Sequence, residues 1–464
     1  PQKMERIVGQ ERAVEAMRSK VASVYPQHIL LYGPPGVGKT TAARIILEEA
    51  KKLPYTPFSV DAPFVETDGT TLRWDARDMT NPLIGSVHDP IYQGARRDLA
   101  DTGIPEPKPG LVTDAHGGIL FIDEIGEMDP LLLNKLLKVL EDKRVKFDSA
   151  YYDASDPAVP AYIRKLFAEG APADFILIGA TTRSPQEINP AIRSRCAEVY
   201  FEPLNGTDIQ AIVRNAAHDL SVSLEDGVAE YISEFTVEGR KAINLLADMY
   251  GYAVYKQGSG ENTVITLEDA KHVVRIGHFI PYAAEKASSL PVAGKIFGLG
   301  VSGYLGSVIE IEAVAFPARE AGKGYFRFND TAGSMAKDSL FNAAAVVRAV
   351  TGKEISDFDI NVNFVGGGQI DGPSAGTAVT VALISALTGK KVRQDAAVTG
   401  EISVSGQVRA VGGIFEKAYG ASRAGMKDMI IPAENKDEIT KHHLNLNIHA
   451  VTTIQEVMSL LFVE

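Results

Sequence analysis

The sequence is poor in the residues that most often announce chemistry. Its 464 residues hold one cysteine, Cys196. That excludes an internal disulfide framework and a Cys-rich zinc site, and suits a reducing compartment. None of its nine histidines falls between His278 and His442, so a Ser-His pair is denied to that stretch. No HExxH motif exists, which excludes a zincin. No run of about 18 apolar residues occurs to span a membrane, and no signal peptide is visible. The chain begins at Pro1, so membrane association would require an anchor upstream of it. Basic charge is short as well. With 47 Lys and Arg against 59 Asp and Glu, the net charge of −12 argues against a mainly electrostatic grip on nucleic acid.

What is present begins with His28 to Lys52, HILLYGPPGVGKTTAARIILEEAKK. A short buried strand, His28 to Tyr32, runs into G-x-x-x-x-G-K-[ST], and a helix opens at once. Gly33, Pro34, Pro35, Gly36, Val37 and Gly38 form a loop whose N–H groups can close around a polyphosphate at the positive end of that helix. Lys39 can reach the β- and γ-phosphates, the Thr40 hydroxyl can ligate Mg²⁺, and Thr41 completes the loop. ATP with Mg²⁺ is the implied cofactor. Upstream, Ile7 and Val8 either lie against an adenine ring or pack a helix on the core.

Asp61 to Gly118 is rich in Pro and Gly and reads as long inserted loops; His116 there reads as structural. Gly118 to Glu124, GILFIDE, resembles a Walker B strand. Asp123 would hold Mg²⁺ through water and Glu124 would polarise the attacking water. Leu131 to Glu141 reads as a leucine-bearing helix and Asp174 to Thr182 as a third buried strand. Alternating strands and helices predict a mostly parallel sheet covered on both faces. Asn205 to about Ile280 is helical, with Ser223 and Thr266 as caps, and Pro281 to Pro291 reads as a linker.

With GPPGVGKT, LFIDE, GATTRSP and the arginines of NPAIRSRC in order, residues 1 to about 280 resemble an AAA+ ATPase module. The resemblance implies roles by position. Thr182 resembles the polar sensor beside the γ-phosphate, Arg193 and Arg195 the arginine-finger region, and Arg240 the sensor arginine of the lid. A finger acts in trans, so the resemblance implies a homo-oligomeric ring, usually a hexamer. Tyr92, in LIGSVHDPIYQGA, stands where such modules carry a pore loop; its alternative is a core tyrosine.

From Val292 onward, short apolar strands with many glycines alternate with helices at Ser339 to Thr351 and Pro373 to Leu387, a separate α+β domain. In DGPSAGTAV, Ser374 falls at a strand-to-helix turn where N–H groups could form an oxyanion hole. A nucleophilic serine needs a base. Histidine is missing locally, and His442, His443 and His449 sit in a polar terminal segment. A buried lysine with a depressed pKa can substitute, and GGIFEKAYGA offers Lys417. The set GPSAG, then TGEISVSGQVRAVGG, then a lysine 43 residues after the serine resembles the proteolytic domain of the Lon family (S16), closest to its B subfamily. The resemblance implies Ser374 as nucleophile, Lys417 as general base, Thr399 as a residue orienting the lysine, and Glu401 in support.

The expectation is a multidomain chain. Residues 1–203 form an α/β nucleotide-binding domain, 204–285 a small α-helical lid, and 286–464 a Lon-type α+β serine protease domain. Its activity is that of an ATP-dependent endopeptidase which unfolds and translocates unfolded or damaged proteins, with no nucleic acid required and a cytoplasmic setting. The alternatives are a protein-remodelling ATPase with a non-proteolytic Lon-like domain, or a nucleic-acid motor.

Overall fold

A computed structural model describes residues 3–72, 82–88, 104–183, 185–258, 263–279, 286–302, 305–329, 334–365, 373–439 and 446–463. The chain divides into two compact units, Pro1–Phe279 and Ile280–Glu464.

The first unit is built on β1 (Ile29–Tyr32), β2 (Phe64–Asp68), β3 (Ile119–Asp123), β4 (Ile176–Thr181) and β5 (Ala197–Tyr200). They form one sheet in the order β2-β3-β4-β1-β5, every pairing parallel. Strands buried on both faces need continuous apolar runs, and β1 is buried throughout. Alternate side chains go to opposite cores: Ile29, Leu31, Phe121 and Ile178 to one, Leu30, Tyr32, Leu120 and Leu177 to the other. Helix α1 (Lys39–Ala50) buries Ala42, Ile46 and Leu47 in the first core. In the second, α2 (Pro130–Asp142) buries Leu132, Leu136 and Leu137; Pro130 and an Asp129 carboxylate accepting from Leu131 and Leu132 N–H start it cleanly. The strand β2, a short antiparallel pair (Gly85–His88 with Glu106–Pro109) and a one-turn helix (Leu111–Asp114) occupy the stretch read as loops. Gly and Pro density hid them, because β2 and that pair are only half buried or better without apolar periodicity.

The helical part comprises α3 (Gly206–Asp219), α4 (Val228–Ser233), α5 (Gly239–Gln257) and α6 (Leu267–Ile276). Thr266 closes a capping box with Asp269, as Asn205 does with Asp208. Ser223 does not cap a helix. It belongs to a two-residue strand paired with Val264, and Gly227, at φ +92°, precedes α4 instead.

In the second unit the main sheet contains β6 (Lys295–Ser302), β7 (Leu305–Pro317), β8 (Phe326–Phe328), β9 (Phe358–Val365), β10 (Ala396–Val398), β11 (Asp428–Pro432) and β12 (Asn447–Val451), ordered β8-β9-β7-β6-β10-β11-β12. Helices α7 (Ser334–Thr351) and α8 (Gly376–Thr388) cover one face and α9 (Ile414–Arg423) the other. Part of the expected linker is a strand, Ser288–Ala293, paired with Lys391–Gln394. A register shift between Ser288 and Val292 accommodates Pro291, which has no N–H to donate. His449, of the polar terminal segment, stands on β12. Among the described residues no helix is long and apolar enough to cross a membrane.

Candidate nucleotide and peptidase sites

The phosphate loop leaves the carboxyl end of β1, beside the ends of β4 and β3, which is where open α/β sheets bind ligands. Gly36 and Gly38 take φ of +72° and +100°, values open to glycine at little cost. A Cβ on Gly33 would meet the Phe201 carbonyl oxygen at 2.5 Å, so the loop lies directly against the chain leaving β5. Lys39 is 7% exposed and its Nζ donates to the Gly33 and Pro34 carbonyl oxygens, each at 2.7 Å. Burial pulls its pKa down to about 8, against the opposing pull of Glu124 and Asp123.

A cleft of about 450 Å³ opens over this loop, lined by Ile7 and Val8, residues 35–41, Asp123, Glu124 and Arg240. Ile7 is also a core residue, as the packing alternative expected. Glu124 sits in the left-handed region at φ +45°, which is costly for a side chain with a Cβ. Its Oε2 accepts from Thr182 N–H at 3.2 Å and Thr182 Oγ1 at 3.1 Å. The cleft is also lined by Asn215 and Asp219 of α3 and Asn244 of α5, which sequence reasoning missed. On α3 the signal was available: with Ile212 and Ala216, Asn215 and Asp219 are polar breaks on one helical face. The Gly239 N–H bonds to the Gly36 carbonyl at 3.1 Å, tying the start of α5 to the loop. Arg193 and Arg195 do not line the cleft. Arg193 bonds Glu198 at 2.8 Å and Arg195 bonds Glu141 at 2.5 Å. Tyr92 lies outside the described residues. His116 accepts from Asp174 N–H, a structural contact.

In the second unit Ser374 occupies a 3₁₀ turn, Pro373–Ala375, that leads straight into the almost wholly buried α8. Its carbonyl oxygen accepts from Gly400 N–H at 3.1 Å, and the Thr399 hydroxyl lies 3.4 Å away. Thr377 closes the link from the other side, with N–H and hydroxyl on the Gly400 carbonyl. Thr399 therefore touches the serine's backbone, where sequence reasoning had placed it on the lysine. Glu401 is half-buried and pairs with Arg409 in a short ribbon.

Lys417 is 3% exposed on α9. Two glycines put it there. A Cβ on Gly306 of β7 would fall 1.7 Å from the Glu416 carbonyl oxygen, and one on Gly420 would fall 2.5 Å from Gly306, so strand and helix meet backbone to backbone. Burial draws the Lys417 pKa down to about 8, while Glu416 and Glu438 pull the other way. Among the described residues no hydrogen bond joins Ser374 to Lys417; general-base contacts commonly tighten only with substrate bound.

Residues 29–204 match the ATPase family associated with various cellular activities (AAA), and residues 268–464 match the Lon protease (S16) C-terminal proteolytic domain. The chain is 43% identical to Lon protease 2 of Bacillus subtilis over 471 residues, covering 99% of this chain and 84% of that protein. It is 28% identical to the Archaeal Lon protease of Archaeoglobus fulgidus over 444 residues, 86% of this chain and 68% of that one. The Lon protease of Fusobacterium nucleatum is 28% identical over 468 residues, of which this chain spans 55% of the length.

Proposed function

The chain belongs to the Lon proteases, ATP-dependent serine peptidases with an AAA ATPase module and an S16 proteolytic domain, and from that premise we propose how its residues divide the work. Family membership decides against the remodelling ATPase and the nucleic-acid motor.

The nucleotide site fits ATP on its own evidence: two loop glycines, Gly36 and Gly38, a buried lysine, and two acids at the end of β3 all face one cleft. Bound Mg-ATP would supply a phosphoryl bond for hydrolysis. Lys39 gives up its loop carbonyls for the phosphates, and Thr40 and Asp123 are the candidate holders of Mg²⁺. Glu124, fixed by Thr182, orients water. Arg240 faces the same cleft from α5. The ring reading assigns Arg193 or Arg195 to a neighbouring subunit's nucleotide, in a homo-oligomer we infer to be hexameric. Residues 204–285 act as the lid and 286–464 as the protease. Tyr92 is proposed to grip unfolded polypeptide in the pore. The lone, half-buried Cys196 fits a cytoplasmic setting.

Peptide cleavage is assigned to Ser374 and Lys417. Neutral Lys417 takes the Ser374 hydroxyl proton as the oxygen attacks the peptide carbonyl. The amine leaves with that proton, and water then releases the acyl group. The observation that carries this reading is a lysine 3% exposed in an apolar helix-strand contact, 43 residues after a serine at a helix start. Degradation of a fluorescent unfolded casein, with and without Mg-ATP, tests it. Loss of intact casein that needs ATP and vanishes in Ser374→Ala is expected. Cleavage surviving Ser374→Ala would remove the nucleophile assignment.

A further inference from the structure

The sequence offers two arginines two positions apart and no means of telling them apart. Their surroundings differ. Glu198, at the second position of β5, receives three donors: Arg193 Nε at 2.8 Å, Tyr200 Oη at 2.7 Å and Tyr32 Oη at 3.2 Å. Tyr32 is 1% exposed and stacks on Tyr200 with ring centres 5.2 Å apart. Burial pushes the Glu198 carboxyl up, but the bonds from Arg193, Tyr200 and Tyr32 outweigh it and hold it below its ordinary range. Tyr32 is the last residue of β1, immediately before Gly33, and its backbone is paired with Thr181 and Tyr200 on either side.

Arg195 is held more loosely. It bonds Glu141, whose side chain is 59% exposed, and the Ala191 carbonyl. Exposed ion pairs contribute little to stability, so Arg195 can leave Glu141 for a better anion. Arg193 cannot leave Glu198 without stripping a carboxylate that also serves a buried tyrosine. Only Ser194 separates them, at the end of a single helical turn, Pro190–Arg193, started by the Asn189 side chain. Fixing Arg193 therefore fixes where Arg195 is displayed.

We propose that Glu198 is a positioning residue for ATP hydrolysis: it clamps Arg193 to the strand that carries the phosphate loop, and so sets the place at which Arg195 is offered to the neighbouring subunit's nucleotide. Arg193 is then the anchor and Arg195 the finger. The clamp also connects a subunit's finger to its own phosphate loop through Tyr32, a direct mechanical link between two adjacent ATP sites. This inference rests on the ring reading given above.

The test is steady-state ATP hydrolysis by mixed oligomers, purified through two different tags. One subunit carries Lys39→Ala, which spoils its own site and leaves its arginines whole. The other carries Arg195→Ala, Glu198→Gln or Arg193→Gln, with its own phosphate loop whole. Each of these three variants alone is expected to lose at least about tenfold in kcat, with KM for ATP changed less than about threefold. Mixing with Lys39→Ala is expected to restore hydrolysis in all three, because the neighbour supplies the finger. Restoration for Arg195→Ala but not for Glu198→Gln and Arg193→Gln would mean that the clamp serves only its own subunit's fold, and would overturn the proposal. Failure to restore Arg195→Ala would instead overturn the ring reading beneath it. The double variant Glu198→Gln, Arg195→Ala supplies a second reading, since groups acting through one another are non-additive. It is expected to be no slower than Arg195→Ala alone; losses that multiply would overturn the proposal. Should Glu198→Gln fail to fold, Arg193→Gln breaks the same pair and leaves Glu198 both tyrosine hydroxyls, and full activity in it would equally overturn the clamp.

Discussion

Lys39 and Lys417 are two buried lysines whose pKa values burial has drawn to the same place, about 8. The surroundings assign them opposite work. Lys39 lies under a loop of N–H groups at a helix start, holds two carbonyl oxygens, and has Asp123 and Glu124 across the cleft. The two carbonyls accept from a cation, the two carboxylates favour one more than Arg240 opposes it, and a polyphosphate would strengthen the case. Lys417 lies where β7 and α9 touch through glycines, among Ile414, Ala418 and Ala421. No anion of comparable strength is offered by the substrate, a neutral amide. A depressed lysine pKa by itself thus marks burial, and the neighbours decide whether the proton stays or goes.

Removing each amine separates the two roles most sharply. Lys417→Met should lower peptide cleavage by roughly 10²–10⁴-fold, the usual contribution of a general base, with ATP hydrolysis left within about twofold. Lys39→Met should stop both ATP hydrolysis and ATP-driven protein degradation, yet leave Ser374 open to labelling by a fluorophosphonate. Labelling followed by mass spectrometry, alongside phosphate release, checks both; loss of ATP hydrolysis in Lys417→Met would break the separation.

Arginine in place of lysine sharpens it further. A guanidinium stays charged at any ordinary pH. Lys39→Arg should therefore keep weakened but measurable ATP binding by fluorescent-nucleotide titration, while Lys417→Arg should be as inactive toward peptides as Lys417→Met. Peptidase activity in Lys417→Arg would remove the lysine from the role of base.

A third separation is by pH. Cleavage of a short fluorogenic peptide should rise through about pH 8 as Lys417 loses its proton. ATP binding should show no matching loss there, because bound phosphate favours the charged form of Lys39. Stability should follow the same sign. An unfolded lysine titrates near 10.4, so between about pH 8 and that value the unfolded chain binds more protons and stability rises with pH. Saturating ATP should flatten the part that belongs to Lys39. Thermal unfolding across this range, with and without nucleotide, reads it out.

The sequence made the nucleotide site easier to read than the peptidase site, for a physical reason. Residues 33 to 41 and the pair Asp123 and Glu124 are local patterns, in which backbone geometry dictates residue type. The lid lining and the clamp at Glu198 depend on which faces of distant elements meet; Asn215 shows only as a polar break on its own helix, and Glu198 carries no mark at all. Strand β2 was lost because its FVETD stretch is only half buried and alternates weakly. The surroundings of Lys417 were partly legible as an apolar helix start, but the two glycines that bring β7 against it lie over a hundred residues apart. Ser374 was recognisable from its turn. What holds that turn was not: Gly400 N–H on the Ser374 carbonyl, and Thr377 on the Gly400 carbonyl.

The smallest effect concerns what tempers Lys417. Glu416 is itself half-buried, and burial raises its own carboxyl pKa above the ordinary range. It still pulls the Lys417 pKa upward, with Glu438 doing the same more weakly. Desolvation alone would make the lysine a better-populated base at neutral pH but a weaker one, since basicity falls with the pKa. The two glutamates hold the balance near the alkaline side of neutrality. Glu416→Gln should move the rise of peptide cleavage to lower pH by less than about one unit, and lower the plateau rate slightly. Lys39→Arg and Lys39→Met should leave that profile in place, because the charges that shift Lys417, Glu416 and Glu438, both lie in the second unit. A shift to higher pH in Glu416→Gln would mean that the carboxylate opposes the charged lysine rather than supporting it, and the assignment of burial as the dominant force on Lys417 would fall with it.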